Sequence, residues 1–247
     1  MNINIKRFQK NTNPQSSIFT YDVKNTNLLQ ALIEIKSTKD STLTYRCGCK
    51  SGVCGSCAVR VNGVEKLACK TVINQDDTIE PIKNRPIIRD LVVDVSHETL
   101  VINQTKSYID LSESNHSEIT AKDVKKIDTQ SNCILCNSCY SSCPVYEVNK
   151  DFLGPFALTR ALRYANDKKM ANNSLIIDQI QTNGIWDCTL CGACTLVCPQ
   201  NIDPKMDIMQ LQNIATQKGY TNPALANFDS NMGFDMSDMG FDPNGSF

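Results

Sequence analysis

Cys133-Ile134-Leu135-Cys136-Asn137-Ser138-Cys139-Tyr140-Ser141-Ser142-Cys143-Pro144 decides how this chain is read, because Cys188-Thr189-Leu190-Cys191-Gly192-Ala193-Cys194-Thr195-Leu196-Val197-Cys198-Pro199 repeats its spacing position for position. Both runs are C-x2-C-x2-C-x3-C-P. The x2 gaps let three thiolates curl around one four-iron cubane. The x3 gap opens a helical turn that carries the fourth sulfur away, and the proline fixes the exit. Structural zinc uses paired C-x2-C knuckles. Eight cysteines in two matching runs that end in Cys-Pro leave little room for it.

In two-cluster ferredoxins the fourth cysteine of each run ligates the other run's cluster. By that logic one cluster takes Cys133, Cys136, Cys139 and Cys198, and the other takes Cys188, Cys191, Cys194 and Cys143.

Upstream, Cys49-Lys50-Ser51-Gly52-Val53-Cys54-Gly55-Ser56-Cys57 is C-x4-C-x2-C, and Cys69 follows after eleven more residues. That is the plant-type spacing of a [2Fe–2S] cluster, so Cys49, Cys54, Cys57 and Cys69 are its expected ligands. Gly52 and Gly55 permit positive φ and close backbone approach, and loop N–H groups then donate to the sulfurs. Cys47 is a bystander thiol in this reading, since using it would lengthen the first gap to x6.

Working outward, the 247 residues carry thirteen cysteines and a net charge of −1. The balanced charge gives no footprint for nucleic acid or an anionic membrane surface. The N-terminus shows no charged-then-apolar signal pattern, and tightly repeated cysteines in a reduced compartment point to metal rather than disulfides. No apolar run reaches the roughly 18–20 residues of a membrane span. Ile87 to Val95, the best candidate, is broken by Arg89, Asp90 and Asp94.

The expected class is α+β. Residues 1–104 form the first domain: an alternating hairpin (Met1–Ile5 with Ser17–Val23, turning over 11–16), one helix marked by Leu28, Leu29, Leu32, Ile33 and Ile35, and a second hairpin around Asn62-Gly63. Polar residues 105–131 read as a linker with one short helix. Residues 132–225 read as helical, with helices expected over 156–169, 175–182 and 205–217. Residues 226–247 read as an acidic tail in which Met232-Gly233-Phe234-Asp235 recurs as Met239-Gly240-Phe241-Asp242. It is either disordered or a docking peptide using Phe234 and Phe241. His97 and His116 are expected on the surface, Arg160 and Arg163 on a solvated or interface helix face, and Trp186 in core packing rather than against a quinone.

A plant-type [2Fe–2S] domain followed by a two-run helical domain resembles the iron–sulfur subunit of succinate dehydrogenase and fumarate reductase. Arg89-Asp90-Leu91-Val92-Val93-Asp94 is similar to that family's segment closing the first domain. Phe152-Leu153-Gly154-Pro155 through Ala161-Leu162-Arg163-Tyr164 is similar to its segment after the first cubane run. The resemblance implies a β-grasp ferredoxin-like domain joined to an α-helical ferredoxin domain. It further implies an electron relay between an FAD subunit, where succinate and fumarate interconvert, and a membrane-associated subunit that handles quinone near the third cluster. The complex would sit peripherally on the cytoplasmic membrane. Common members lack the second cysteine of the second run and carry [3Fe–4S] there; Cys191 fills that position here, so [4Fe–4S] and [3Fe–4S] both stand. The tryptophans often found after the first Cys-Pro are replaced by Val145-Tyr146-Glu147-Val148-Asn149, and a frequent histidine by Thr189. These departures resemble the branch whose anchor is a cysteine-rich subunit similar to heterodisulfide reductase, including the 8-methylmenaquinol:fumarate reductases. Competing readings are the same relay serving another flavoprotein dehydrogenase or a thiol-linked fumarate reductase, and a non-redox zinc-binding interaction module.

Overall fold

The computed structural model describes residues 1–9, 13–109 and 117–224. The alternation at the N-terminus becomes β1 (Asn2–Gln9), with β2 (Asn13–Asp22) antiparallel to it and Ile3 opposite Tyr21. Part of the intervening turn, together with His116 and the acidic tail, lies outside the described residues. Helix α1 (Leu28–Thr38) starts where the Asn27 side chain accepts the Gln30 N–H at 3.2 Å. It lays Leu28, Leu29, Leu32 and Ile35, all fully buried, against the sheet. Asn62 (φ 51°) and Gly63 (φ 83°) make the tight turn between β3 (Ala58–Val61) and β4 (Val64–Leu67).

β5 (Thr78–Glu80) is too short for its alternation to stand out in the sequence. It inserts parallel to β1 and antiparallel to β3, which gives the sheet order β2-β1-β5-β3-β4. This is the β-grasp arrangement. A two-stranded ribbon, β6 (Ile87–Arg89) and β7 (Val92–Val93), closes the unit. Its anchor is Asp90, fully buried, which accepts from Arg7 Nε at 3.0 Å and Arg7 Nη2 at 2.9 Å. The Thr44 N–H at 2.9 Å completes its shell, so neither buried charge is left unpaired.

The second unit begins earlier than the polar sequence suggests. In α2 (His97–Gln104), Val101 and Ile102 pack into the second core, while Thr105 and Ser107 just beyond are fully buried and share a 2.7 Å hydrogen bond. The first core therefore ends short of residue 104. Two short helices, α3 (Ala121–Lys125) and α4 (Asp128–Ser131), occupy the stretch expected to hold one, and Thr120 with Asp123 forms a capping box on α3. Then come α5 (Ser138–Ser141), α6 (Pro144–Val148), α7 (Pro155–Ala165), α8 (Ser174–Gln179), α9 (Ala193–Leu196) and α10 (Pro204–Gln217). Helix α7 packs on α10 through Leu158, Ala161, Leu162, Ile208 and Leu211. Among them Asp207 is held by Gln130 Nε2 and Thr159 Oγ1, both at 2.8 Å.

His97 corrects an expectation. It is not a plain surface residue: its ring meets Tyr140 edge-on at 5.1 Å and Phe156 at 5.9 Å, and both ring nitrogens are buried. Its polar neighbours in sequence concealed this, because α2 turns it toward the aromatic core. Burial, with Arg85 adding, lowers its pKa to about 4. The folded value lies below the ordinary 6.5, so the unfolded chain binds more protons between pH 4 and 6.5. His97 thus opposes folding increasingly as pH falls through that window and has no effect above it. We expect urea midpoints of wild type and His97→Phe, measured anaerobically, to separate as pH drops from 7 to 5.5, with the wild type falling faster. Parallel curves would refute this.

Candidate iron–sulfur centres

The two cubane runs share a backbone as well as a spacing. In the first, Leu135 (φ 53°) precedes Cys136 and Asn137 (φ 63°) follows it; in the second, Leu190 (φ 54°) precedes Cys191 and Gly192 (φ 80°) follows it. A left-handed leucine is unusual and costs energy, so its recurrence marks a constraint on the loop. Each loop leads into a short helix, α5 or α9, whose N-cap is the second left-handed residue. Cys191 therefore occupies the same local geometry as Cys136.

Cys133, Cys136, Cys139 and Cys198 line one cavity, walled by Phe156, Thr159, Ile202 and Pro204. The structure thus brings Cys198 of the second run to the first. Burial pushes Cys133 up to about 11 and Cys139 well above its ordinary value. The four thiols of the reciprocal set influence one another electrostatically. Burial raises Cys143 to about 11, with Cys191 its largest charged influence, and raises Cys194 to about 12, with Cys188, Cys143 and Cys191 adding. Cys143 caps α6 by accepting the Tyr146 N–H at 3.4 Å, and Cys188 accepts the Leu190 N–H at 3.4 Å. Cys194 also raises the pKa of Cys139, so the two sets adjoin.

In the upstream loop, Cys49 Sγ accepts the N–H groups of Ser51 at 3.4 Å, Val53 at 3.3 Å and Cys54 at 3.3 Å. Cys54 Sγ accepts the Cys49 N–H at 3.4 Å and lies 3.2 Å from Ser56 Oγ. Gly52 (φ 83°) and Gly55 (φ 70°) supply the conformations that turn these donors inward. The Ser51 hydroxyl first, then the same backbone N–H groups, hold Cys49 down to about 5. Cys57, pushed up to about 11 by burial, interacts with Cys69, which arrives on a tight turn after β4. Cys47 is exposed and takes no part in these contacts.

The donor sets fit iron–sulfur groups. Thiols that burial holds protonated become good ligands once a cationic core compensates their charge. The backbone N–H groups stand ready to share the sulfur charge that remains. Among the described residues no three or more His, Cys, Asp or Glu groups close on a point as a lone metal ion requires. Cys133, Cys136, Cys139 and Cys198 instead surround a wider space.

The first unit is seated on the second through features no motif announces. A Cβ on Gly55 would stand 2.8 Å from Cys136 Cβ and 2.8 Å from the Ile134 carbonyl, so the two ligand loops meet backbone to backbone. Asn84 Nδ2 donates to the Tyr140 carbonyl at 2.9 Å, the Lys83 N–H to Ser141 Oγ at 2.7 Å, and Ser141 Oγ to Glu65 at 2.6 Å. Gln200 Nε2 donates to the Gly52 carbonyl at 3.0 Å. Trp186 packs on the second core and donates to Gln181 at 2.8 Å. Of the two arginines expected on a solvated or interface helix face, Arg160 is partly exposed with its Nε buried, and Arg163 pairs with Asp167 at 2.7 Å. Both arginines follow the helix periodicity, but only Arg163 has an acid four residues on.

Residues 2–99 match a family described as 2Fe–2S iron–sulfur cluster binding domain, and residues 129–202 one described as 4Fe–4S dicluster domain. The chain is 35% identical to the fumarate reductase iron–sulfur subunit of Haemophilus influenzae, over 85% of this chain and 91% of that protein. It is 33% identical to the 8-methylmenaquinol:fumarate reductase iron–sulfur subunit of Wolinella succinogenes, over 87% and 72%. A chain of the Mycobacterium smegmatis Sdh1 complex in the apo form shares the fold, with a TM-score of 0.79 at 24% identity over 89% of this chain and 97% of that one. Two cubane-type loops of the same local geometry, a [2Fe–2S] loop seated against them and relatives matched along most of their length lead to one conclusion: this chain belongs to the family of iron–sulfur subunits of fumarate reductase and succinate dehydrogenase.

Proposed function

We propose that the chain relays electrons in a succinate/fumarate oxidoreductase, between an FAD-bearing subunit and a quinone-side subunit, with Cys191 a working ligand of a third, four-iron cluster. What carries the last point is the recurrence of left-handed residues on either side of Cys136 and Cys191. The sites are assigned as Cys49, Cys54, Cys57 and Cys69; Cys133, Cys136, Cys139 and Cys198; and Cys143, Cys188, Cys191 and Cys194. Bound there, the iron–sulfur groups supply one-electron transfer. The protein's own residues hold the loops, aim N–H donors at Cys49 and Cys188, and keep water from the second site with Phe156, Ile202 and Pro204. Gly55 and Cys136 keep the first two loops in contact.

Among the described residues no helix is long and apolar enough to cross a membrane, so membrane association is proposed to come through partners. Since Cys191 is retained and the stretch after Cys143-Pro144 lacks tryptophan, the favoured quinone-side partner is a cysteine-rich subunit similar to heterodisulfide reductase. The test is affinity purification of the tagged chain from its own host under anaerobic conditions. The expected result is a brown complex that contains flavin and interconverts succinate and fumarate with a redox dye. A complex with flavin but no succinate or fumarate activity would move the relay to another dehydrogenase, and a colourless zinc-loaded chain would overturn it.

A further inference from the structure

The end of the described chain is tied to one helix. Lys218 Nζ donates to Ser174 Oγ at 3.0 Å and the Tyr220 hydroxyl donates to the Asp178 carboxylate, so the chain passes beside α8 just before Ala224. The same helix walls a surface groove with Leu175 and Ile176, and Tyr108 and Met170 complete its apolar lining. Leu175 is 59% exposed and Tyr108 43%, which leaves apolar surface open to water at one place. Lys106 and Lys169, both exposed, line the groove as well. Neither forms an ion pair among the described residues, whereas the neighbouring Lys168 is taken by Asp123 at 3.2 Å. No acidic residue lines the groove.

We propose that this groove is the docking site of the chain's own acidic tail. It takes the ring of Phe234 or Phe241 against Leu175 and Tyr108, and sets Asp235 or Asp242 beside Lys106 and Lys169. The complementarity is of two kinds. Residues 226–247 carry four Asp and no Lys or Arg, against two lysines without a counter-charge. They also repeat Met232-Gly233-Phe234-Asp235 as Met239-Gly240-Phe241-Asp242, an apolar ring followed at once by a carboxylate. Exposed ion pairs contribute little, so burial of the ring supplies most of the contact and the lysines set the direction of the segment. Phe234 lies ten residues beyond Ala224. Ten extended residues span up to about 33–36 Å, several times the roughly 9 Å length of α8, so reach is no obstacle. Tethering keeps both copies of the repeat at an effective concentration on the order of millimolar, which offsets a weak individual contact.

The experiment is carbodiimide coupling of carboxylates to lysines in the anaerobically purified complex, with isotope-labelled and unlabelled preparations mixed and the linked peptides read by mass spectrometry. Asp235 and Asp242 are expected to couple to Lys106 and Lys169 within one chain, severalfold more than to the exposed Lys122 and Lys125. Phe234→Ser combined with Phe241→Ser should abolish that preference, and Leu175→Ser should do so with iron content unchanged. Val72→Ser, at an exposed apolar position of the first unit, should preserve it. Absence of the preference in wild type overturns the proposal, as does its survival in the double Phe variant or its loss in Val72→Ser. Links between labelled and unlabelled chains would assign the groove to a second copy, and links from its lysines to another subunit would assign it to a partner; either result overturns docking in cis. If Leu175→Ser loses iron, the double Phe variant decides, because its substitutions lie outside the packed cores.

Discussion

Cys198→Ala is expected to abolish the cluster of the first cysteine run, far away in sequence, and to spare that of its own. About four irons of about ten should be lost, together with one reduced-state EPR signal, while the [2Fe–2S] signal remains. Cys143→Ala should do the reverse and remove the cluster of the second run. The reason is spatial: Cys198 shares a cavity with Cys133, Cys136 and Cys139, and the thiol exerting the strongest influence on Cys143 is Cys191. Because ligation is coupled to folding, both variants should also unfold at lower denaturant. The match of each missing signal to its run can be scored by pairing each variant with Cys136→Ala and Cys194→Ala. Loss of the same cluster in Cys198→Ala and Cys194→Ala would show uncrossed ligation. Cys47→Ser serves as the control and should keep all its iron.

A large stability effect is expected at Gly154. This residue opens α7 with φ 85° and ψ 170°, a region nearly closed to residues with a side chain. A Cβ there would stand 2.3 Å from Cε1 and Cζ of Tyr140. The ring has nowhere to go: it is fully buried, with Phe156 at 4.7 Å, Tyr146 at 4.8 Å and His97 at 5.1 Å around it. Strain and overpacking together should cost about 2–5 kcal/mol in Gly154→Ala. Against a typical stability of about 5–15 kcal/mol, that threatens the second unit outright. Gly63→Ala is the comparison. Its φ is similar at 83°, but the new Cβ meets only the Arg60 guanidinium at 3.4 Å, so about 1 kcal/mol is expected. Chemical unfolding of the two variants, followed by the loss of cluster colour, decides the matter. Equal midpoints would mean that Tyr140 moves aside freely.

The cluster-binding domains were legible because ligand spacing is local: a cubane imposes x2 gaps, and the sequence displays them without any knowledge of the fold. The Asn62-Gly63 turn and helices α1, α7 and α10 were legible for a similar reason, each having its own cap or periodicity. What stayed hidden depends on distant partners. Arg7 reads as an ordinary charge in a strand until Asp90, 83 residues on, closes around it. β5 gains its meaning only between β1 and β3. His97 sits in a polar stretch, and only the packing of α2 reveals that it faces Tyr140. Gly55 looked like a loop glycine, yet the contact with Cys136 comes from the docking of two units that the sequence shows separately.

The central claim is a chain with one two-iron and two four-iron sites, Cys191 being a ligand rather than a bystander. The most direct measurement is EPR of the anaerobically purified complex, as isolated and after reduction, with iron counted per chain. The expected result is about ten irons and no strong three-iron signal in the oxidised state. About nine irons with such a signal would contradict the claim, because it would leave Cys191 idle beside a [3Fe–4S] cluster and return the chain to the common quinone-linked pattern.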